Sequence, residues 1–235
     1  MRFTLVVLLT LAAHGQEFEV VSIKPGDPAF PGSSARSTAG GMEWRNTTVN
    51  NLIRGAYHLN EFQLTGGPKW ADTERFNVDA KFPQGMLRGD GQSQQMMQHM
   101  LADRFNLVFR LETKMLPQYS LVVAKGGPKV ERSSDNEGVR SQQGPRQIKA
   151  WGTPMSSLAQ MLISVVSAPV TDHTGLQGQY NFSLEFAPLL DAPRENEPLG
   201  DIFAVLQQQL GLKLVATKGP VEMLVIDKVE KPTEN

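Results

Sequence analysis

The stretch Arg75-Phe76-Asn77-Val78-Asp79-Ala80-Lys81-Phe82 alternates without a fault, apolar at Phe76, Val78, Ala80 and Phe82 and polar at Arg75, Asn77, Asp79 and Lys81. Successive side chains on a strand point to opposite faces, so this spacing predicts a strand with one face on a core and one in water. The alternation returns 104 residues later as Tyr180, Phe182, Leu184 and Phe186. Helical core positions return as well. Thr48, Ile53, Tyr57, Met97, Met100, Leu101 and Phe105 recur 105 residues on as Thr153, Leu158, Leu162, Ile202, Val205, Leu206 and Leu210. One order of helices and strand, at offsets that differ by a single residue, implies an α+β fold built of two tandem repeats. Each repeat is expected to pack two helices on a small, mostly antiparallel sheet.

Working outward, Phe18 to Lys24 reads as a strand ended by Pro25, and Gly26 to Gly40 as a loop. Met42 and Trp44 suggest a short strand. Thr48 is placed to cap a helix with Val49, Leu52, Ile53, Ala56 and Tyr57 on one face. A second helix carries Met97, Met100, Leu101 and Phe105 and ends at Asn106. Leu107 to Leu111 and Tyr119 to Ala124 read as a hairpin. In the second half, Thr153-Pro154 reads as a capping hydroxyl before proline at the first helical position. Gly211 sits where a left-handed residue closes a helix, and Gly219-Pro220 reads as the turn of a closing hairpin. The expected organisation is a signal peptide over 1–15, a first unit over 16–131, a polar linker or loop over 132–147, a second unit over 148–231 and a polar tail over 232–235.

The signal reading rests on Arg2, the apolar run Phe3 to Ala13, and small residues at Ala13 and Gly15. That run is shorter than the about 20 apolar residues a spanning helix needs, so export to the periplasm or medium is expected, with no stable membrane insertion once the signal is removed. The chain has no cysteine, which excludes disulfides, thiolate nucleophiles and cysteine metal sites. Lys and Arg number 23 against 24 Asp and Glu, a formal net charge of −1. No basic block stands out, so no nucleic-acid partner is expected.

Several segments resemble a family of exported soil-bacterial proteins of unknown function with many paralogues per genome. They are Phe18-Glu19-Val20-Val21-Ser22-Ile23-Lys24-Pro25, Gly66-Gly67-Pro68-Lys69-Trp70, Leu101-Ala102-Asp103-Arg104-Phe105, Val122 to Lys129, Asp172 to Tyr180, and the terminal Glu230 to Asn235. Some relatives in that family are fused to membrane metallopeptidases of the β-lactam-sensor type. This chain has no His-Glu-x-x-His motif, and the resemblance carries no catalytic residue with it. A second resemblance is architectural. From Pro154 to Val229 the order of helix, glycine turn, alternating strand, helix and closing strands is similar to the short N-terminal modules of secretins and TonB-dependent receptors. It implies an envelope interaction module.

The chemistry-bearing residues form no convincing constellation. His58, His99 and His173 lack the grouped ligands a metal site wants, and nothing resembles the Gly-x-Ser-x-Gly nucleophile elbow. Gly85 to Gly91 precedes a helix but lacks the ending of a phosphate loop. Met96, Met97 and Met100 fit core packing better than a partner groove. Asn46-Thr47-Thr48 and Asn181-Phe182-Ser183 match the glycosylation sequon without a context that uses it. Asp72 and Glu74, near Trp70 and Arg75, could form a polar corner beside an aromatic plate; Trp70, Asp72, Arg75 and His173 are the candidate ligand or partner contacts. The expected protein is non-catalytic, uses no metal or cofactor, and recognises an envelope protein or glycan. The alternatives are a cofactor-free hydrolase of cell-wall or plant polymer using Asp72, Asp79 or Glu185, which needs two carboxylates about 5–9.5 Å apart in a cleft, and a stand-alone sensor domain related to the peptidase-linked proteins.

Overall fold

The computed structural model describes residues 17–27, 29–30, 32–85, 92–134, 138–187 and 201–232. The expected signal segment, most of the glycine loop before the second helix, nearly all of the insertion after Ala187 and the last three residues lie outside these. The described chain is α+β, with five α-helices and three four-stranded sheets. In chain order the first elements are β1 (Val20–Pro25), β2 (Ser34–Thr38), β3 (Gly41–Thr47), α1 (Val49–Tyr57), β4 (Leu64–Gly66), α2 (Trp70–Thr73), β5 (Phe76–Lys81), α3 (Gln92–Phe105) and β6 (Val108–Val123). They are followed by β7 (Glu131–Arg132), β8 (Arg140–Gly144), β9 (Gln147–Thr153), α4 (Met155–Val166), β10 (Val170–Asp172), β11 (Tyr180–Glu185), α5 (Ile202–Val205) and β12 (Leu212–Lys228). The helix of α5 runs on with π geometry over Leu206–Leu210.

The chain forms two compact units, Met1–Thr113 with Glu222–Asn235, and Lys114–Val221. In unit 1 an antiparallel sheet has the order β1-β5-β3-β2. The alternation of β5 is realised: Phe76, Val78 and Ala80 are buried, and Asp79 and Lys81 are exposed. Val49, Leu52, Ile53 and Ala56 of α1 and Met97, Met100, Leu101 and Phe105 of α3 bury against it, joined by Leu224, Ile226 and Val229. The methionines of α3 are therefore core. Removing such side chains from water supplies about 1.5–3 kcal/mol each before entropy is counted. Thr48 caps α1, its hydroxyl accepting from Asn51 N at 3.2 Å. Asn106 turns left-handed at φ 47° after α3, and Leu107 N–H donates back to Leu101 O. Both glycines of Gly66-Gly67-Pro68 have positive φ, as the turn requires.

In unit 2 the antiparallel sheet has the order β7-β11-β9-β8. Tyr180, Phe182, Leu184 and Phe186 are buried, with Leu158, Ala159, Leu162 and Ile163 of α4 and Ile202, Val205, Leu206 and Leu210. Gly211 takes φ 65°, where a Cβ would collide with Gly127 O.

The remaining sheet has the order β10-β6-β12-β4. Within unit 1, β4 runs parallel to Leu224–Ile226 of β12. Within unit 2, β10 runs parallel to Tyr119–Leu121 of β6.

Four local expectations are corrected. Leu107 to Ala124 is no hairpin, since Val108–Val123 is one strand of 16 residues. Gly219-Pro220 likewise lies inside a strand of 17 residues, with the side-chain amide of Gln118 lying over Gly219. Strands β2 and β8 occupy stretches read as loop and linker, because edge strands held by backbone on one side need no alternating apolar pattern. Thr153 does not cap α4. Its hydroxyl donates to Trp151 O at 2.9 Å, and Pro154 stands at the cap with no side-chain acceptor.

Candidate functional site

Unit 1 carries a groove of about 440 Å³ at one end of its antiparallel sheet, formed by three separate pieces of chain. The first is the end of β1, with Ile23, Lys24, Pro25 and Gly26; the second is the α2–β5 junction, Thr73 to Phe76; the third is Lys231 and Pro232. Proline ends β1, and Gly26 then turns so tightly that a Cβ would stand 2.6 Å from Asn46 Oδ1 and 2.7 Å from Arg75 Cβ. Gly26 N–H donates to Arg75 O at 2.7 Å, which joins the first piece to the second.

The second piece is shaped by α2, a single turn in which Ala71 N–H donates to Pro68 O and Glu74 N–H to Trp70 O. That turn lays the half-buried Trp70 edge-on to Phe76, with ring centroids 6.5 Å apart at 76°. The third piece is fixed by Glu230, whose N–H donates to Phe105 O at 2.7 Å and whose carboxylate accepts from Asn106 Nδ2 at 2.7 Å. Hydrogen bonds from Lys228 and Asn106 hold the Glu230 carboxyl below the usual carboxylate range. Lys231 then reaches back, its Nζ 2.7 Å from Glu74 Oε1 and 5.8 Å from the Trp70 ring.

The lining holds three cations, Lys24, Arg75 and Lys231, and one carboxylate, Glu74, which Lys231 neutralises. Arg75 donates one N–H to the backbone oxygen of Asn46 at 3.1 Å. Lys24 has no ion-pair partner among the described residues. The groove therefore carries an excess of positive charge beside the apolar Ile23, Phe76 and prolines, a surface that attracts an anion with an apolar body.

Of the residues singled out from sequence, Arg75 lines this groove and Trp70 backs it. Asp72 is exposed on α2 and accepts from Asn50 Nδ2 at 3.3 Å, outside the lining. His173 belongs to unit 2, with its side chain exposed and its N–H donated to Leu121 O at 2.9 Å. Asp79 pairs with Arg45 at 2.6 Å on the wet face of β5, and Glu185, in unit 2, accepts from Gln147 at 2.8 Å. Among the described residues no group of three His, Cys, Asp or Glu could hold a metal ion. Both sequons are structural: Asn46 is buried and donates to Phe30 O and Gly32 O, and Asn181 Oδ1 accepts from Gly152 N. Local sequence could not reveal Lys24 and Lys231, since only folding brings opposite ends of the chain together.

The profile of a protein family of unknown function, DUF3738, matches residues 50–229. The chain belongs to the DUF3738 family. Trp70, Glu74, Arg75 and Phe76 fall inside the matched stretch, whereas Lys24 lies well before it and Lys231 just after it. No curated protein and no solved structure matches the chain. Among the described residues no helix is long and apolar enough to cross a membrane.

Proposed function

We propose that this protein is an exported, non-catalytic binding module that recognises a protein of the cell envelope. The observation that carries the reading is the groove of unit 1, where three pieces of chain meet around unequal charge: three cations to one carboxylate. A catalytic cleft of the two-carboxylate kind places its acids together; here Glu74 stands as the lining's carboxylate and is tied to Lys231. Export follows from the signal-like reading of residues 1–15.

The reading includes a duplicated scaffold. The sheet orders β1-β5-β3-β2 and β7-β11-β9-β8 support it, as do the parallel pairings of β4 with β12 and of β10 with β6. In this duplication each long strand starts in one unit and completes the other, since the compact units divide after Thr113 and after Val221. Duplicated scaffolds with one decorated end suit recognition, because the shared frame keeps loops rigid while side chains vary.

The test is affinity capture by the mature protein from envelope extract of the source organism, followed by titration of the captured species after purification. One partner that binds saturably at a fixed stoichiometry is the expected result. Turnover of a cell-wall or plant polymer that disappears when one polar cluster is mutated would overturn the reading.

A further inference from the structure

We propose that the groove of unit 1 takes a carboxylate from an acidic peptide segment, with Lys24 and Arg75 as its anion contacts and Glu74 as an internal competitor. The inference rests on the binding reading above and names the ligand class for that site. Lys24 and Arg75 line the same groove, and neither is paired with a carboxylate among the described residues. Arg75 spends one N–H on Asn46 O, a bond that orients the guanidinium and leaves its other donors for a ligand. Glu74 occupies the place a ligand carboxylate would take against Lys231, at 2.7 Å. Both members of that pair are about half exposed, with side chains 56 % and 43 % accessible, so an incoming carboxylate displaces a weak contact.

A peptide fits this surface better than a sugar. Carbohydrate recognition draws on an open aromatic face, and here Lys231 already lies over Trp70. The apolar parts of the groove suit the aliphatic neighbours of an acidic residue in an extended chain.

The experiment is a heteronuclear NMR titration of the whole protein with Ac-Glu-Glu-Leu-Glu-amide and, as control, Ac-Gln-Gln-Leu-Gln-amide. The acidic peptide is expected to shift the amides of Lys24, Gly26, Arg75 and Lys231, and the control to leave them in place. K24Q, which breaks no side-chain hydrogen bond or ion pair among the described residues, should weaken binding about three- to fivefold, as should R75Q. E74Q should instead tighten binding about two- to threefold by removing the competing charge. A merely structural role for these residues gives no such gain. Equal shifts with both peptides, or affinities unchanged in K24Q and E74Q, would overturn the inference. The two readings fail separately. If a captured envelope partner binds K24Q as well as wild type, recognition stands and this site falls. If the acidic peptide binds as expected but no envelope partner is found, the groove chemistry stands and the envelope reading falls.

Discussion

In unit 1, Asn46 stands at φ 54° and donates its N–H to Asn77 Oδ1 at 2.9 Å; in unit 2, Gly152 stands at φ 58° and donates its N–H to Asn181 Oδ1 at 2.9 Å. Each residue follows the apolar part of a central strand, where the register with the alternating strand slips. A left-handed residue in a strand kinks it and strands one N–H, and an asparagine on the neighbouring strand accepts that N–H in both units. The backbone device is the same. The side chains differ: glycine at 152 has nothing to offer, whereas Asn46 reaches Phe30 O and Gly32 O with its amide and presents its backbone oxygen to Arg75. Unit 1 thereby ties down the chain beyond Gly26 and orients a groove cation. The difference teaches that a shared kink can serve as plain scaffolding in one unit and as the footing of a site in the other.

The largest expected effect tests the helix cores. Ile53→Ala in α1 and Leu158→Ala in α4 remove fully buried side chains, 0 % exposed in each case, and should each cost about 2–5 kcal/mol in urea unfolding. A cost well below that for one of them would show that the two helices do not play equivalent parts. Next come the helix ends. Gly211→Ala forces a Cβ against Gly127 O at positive φ and should cost about 2–4 kcal/mol, while Asn106→Gly, which relieves φ 47° but loses the exposed hydrogen bond to Glu230, should cost no more than about 1 kcal/mol. Equal losses at the two positions would break the parallel. Asn77→Ala and Asn181→Ala each leave a strand N–H without its acceptor and should cost about 1–3 kcal/mol. Only the first should also perturb the groove, which the NMR shifts of Gly26 and Arg75 would report.

The smallest effect is a pH dependence confined to unit 1. Burial against Phe109 pushes the Tyr57 hydroxyl up to about 12, so the folded state holds its proton where the unfolded chain has lost it. The stability this supplies is present below about pH 10, the unfolded value, and is lost as pH rises toward about 12. Unfolding midpoints at pH 9 and pH 11 should therefore differ less in Tyr57→Phe than in wild type. An unchanged difference would place the titrating group elsewhere.

Elements with one buried face were legible from residue order. Phe76, Val78 and Ala80, or Leu158 and Leu162, advertise their partners because burial on one side imposes a period. Strands β2 and β8, Ser34–Thr38 and Arg140–Gly144, carry no such mark, since all but one of their side chains are exposed and only the backbone is recruited. Gly219-Pro220 misled because it lies within extended chain, where proline's fixed φ also fits. Of the candidate site, Trp70, Glu74 and Arg75 were visible as charges beside an aromatic, whereas Lys24 and Lys231 were not.

Local order alone set the alternating strands, the apolar helix faces, the left-handed positions at Asn106 and Gly211 and the absence of cysteine chemistry, because each depends on neighbours within a few residues. Which edges pair, where the long strands change units, and the meeting of Lys24, Arg75 and Lys231 were decided by folding. Contacts between residues as far apart as Glu74 and Lys231 leave no periodic trace in the chain; they exist because a common core brings the segments that carry them to one place.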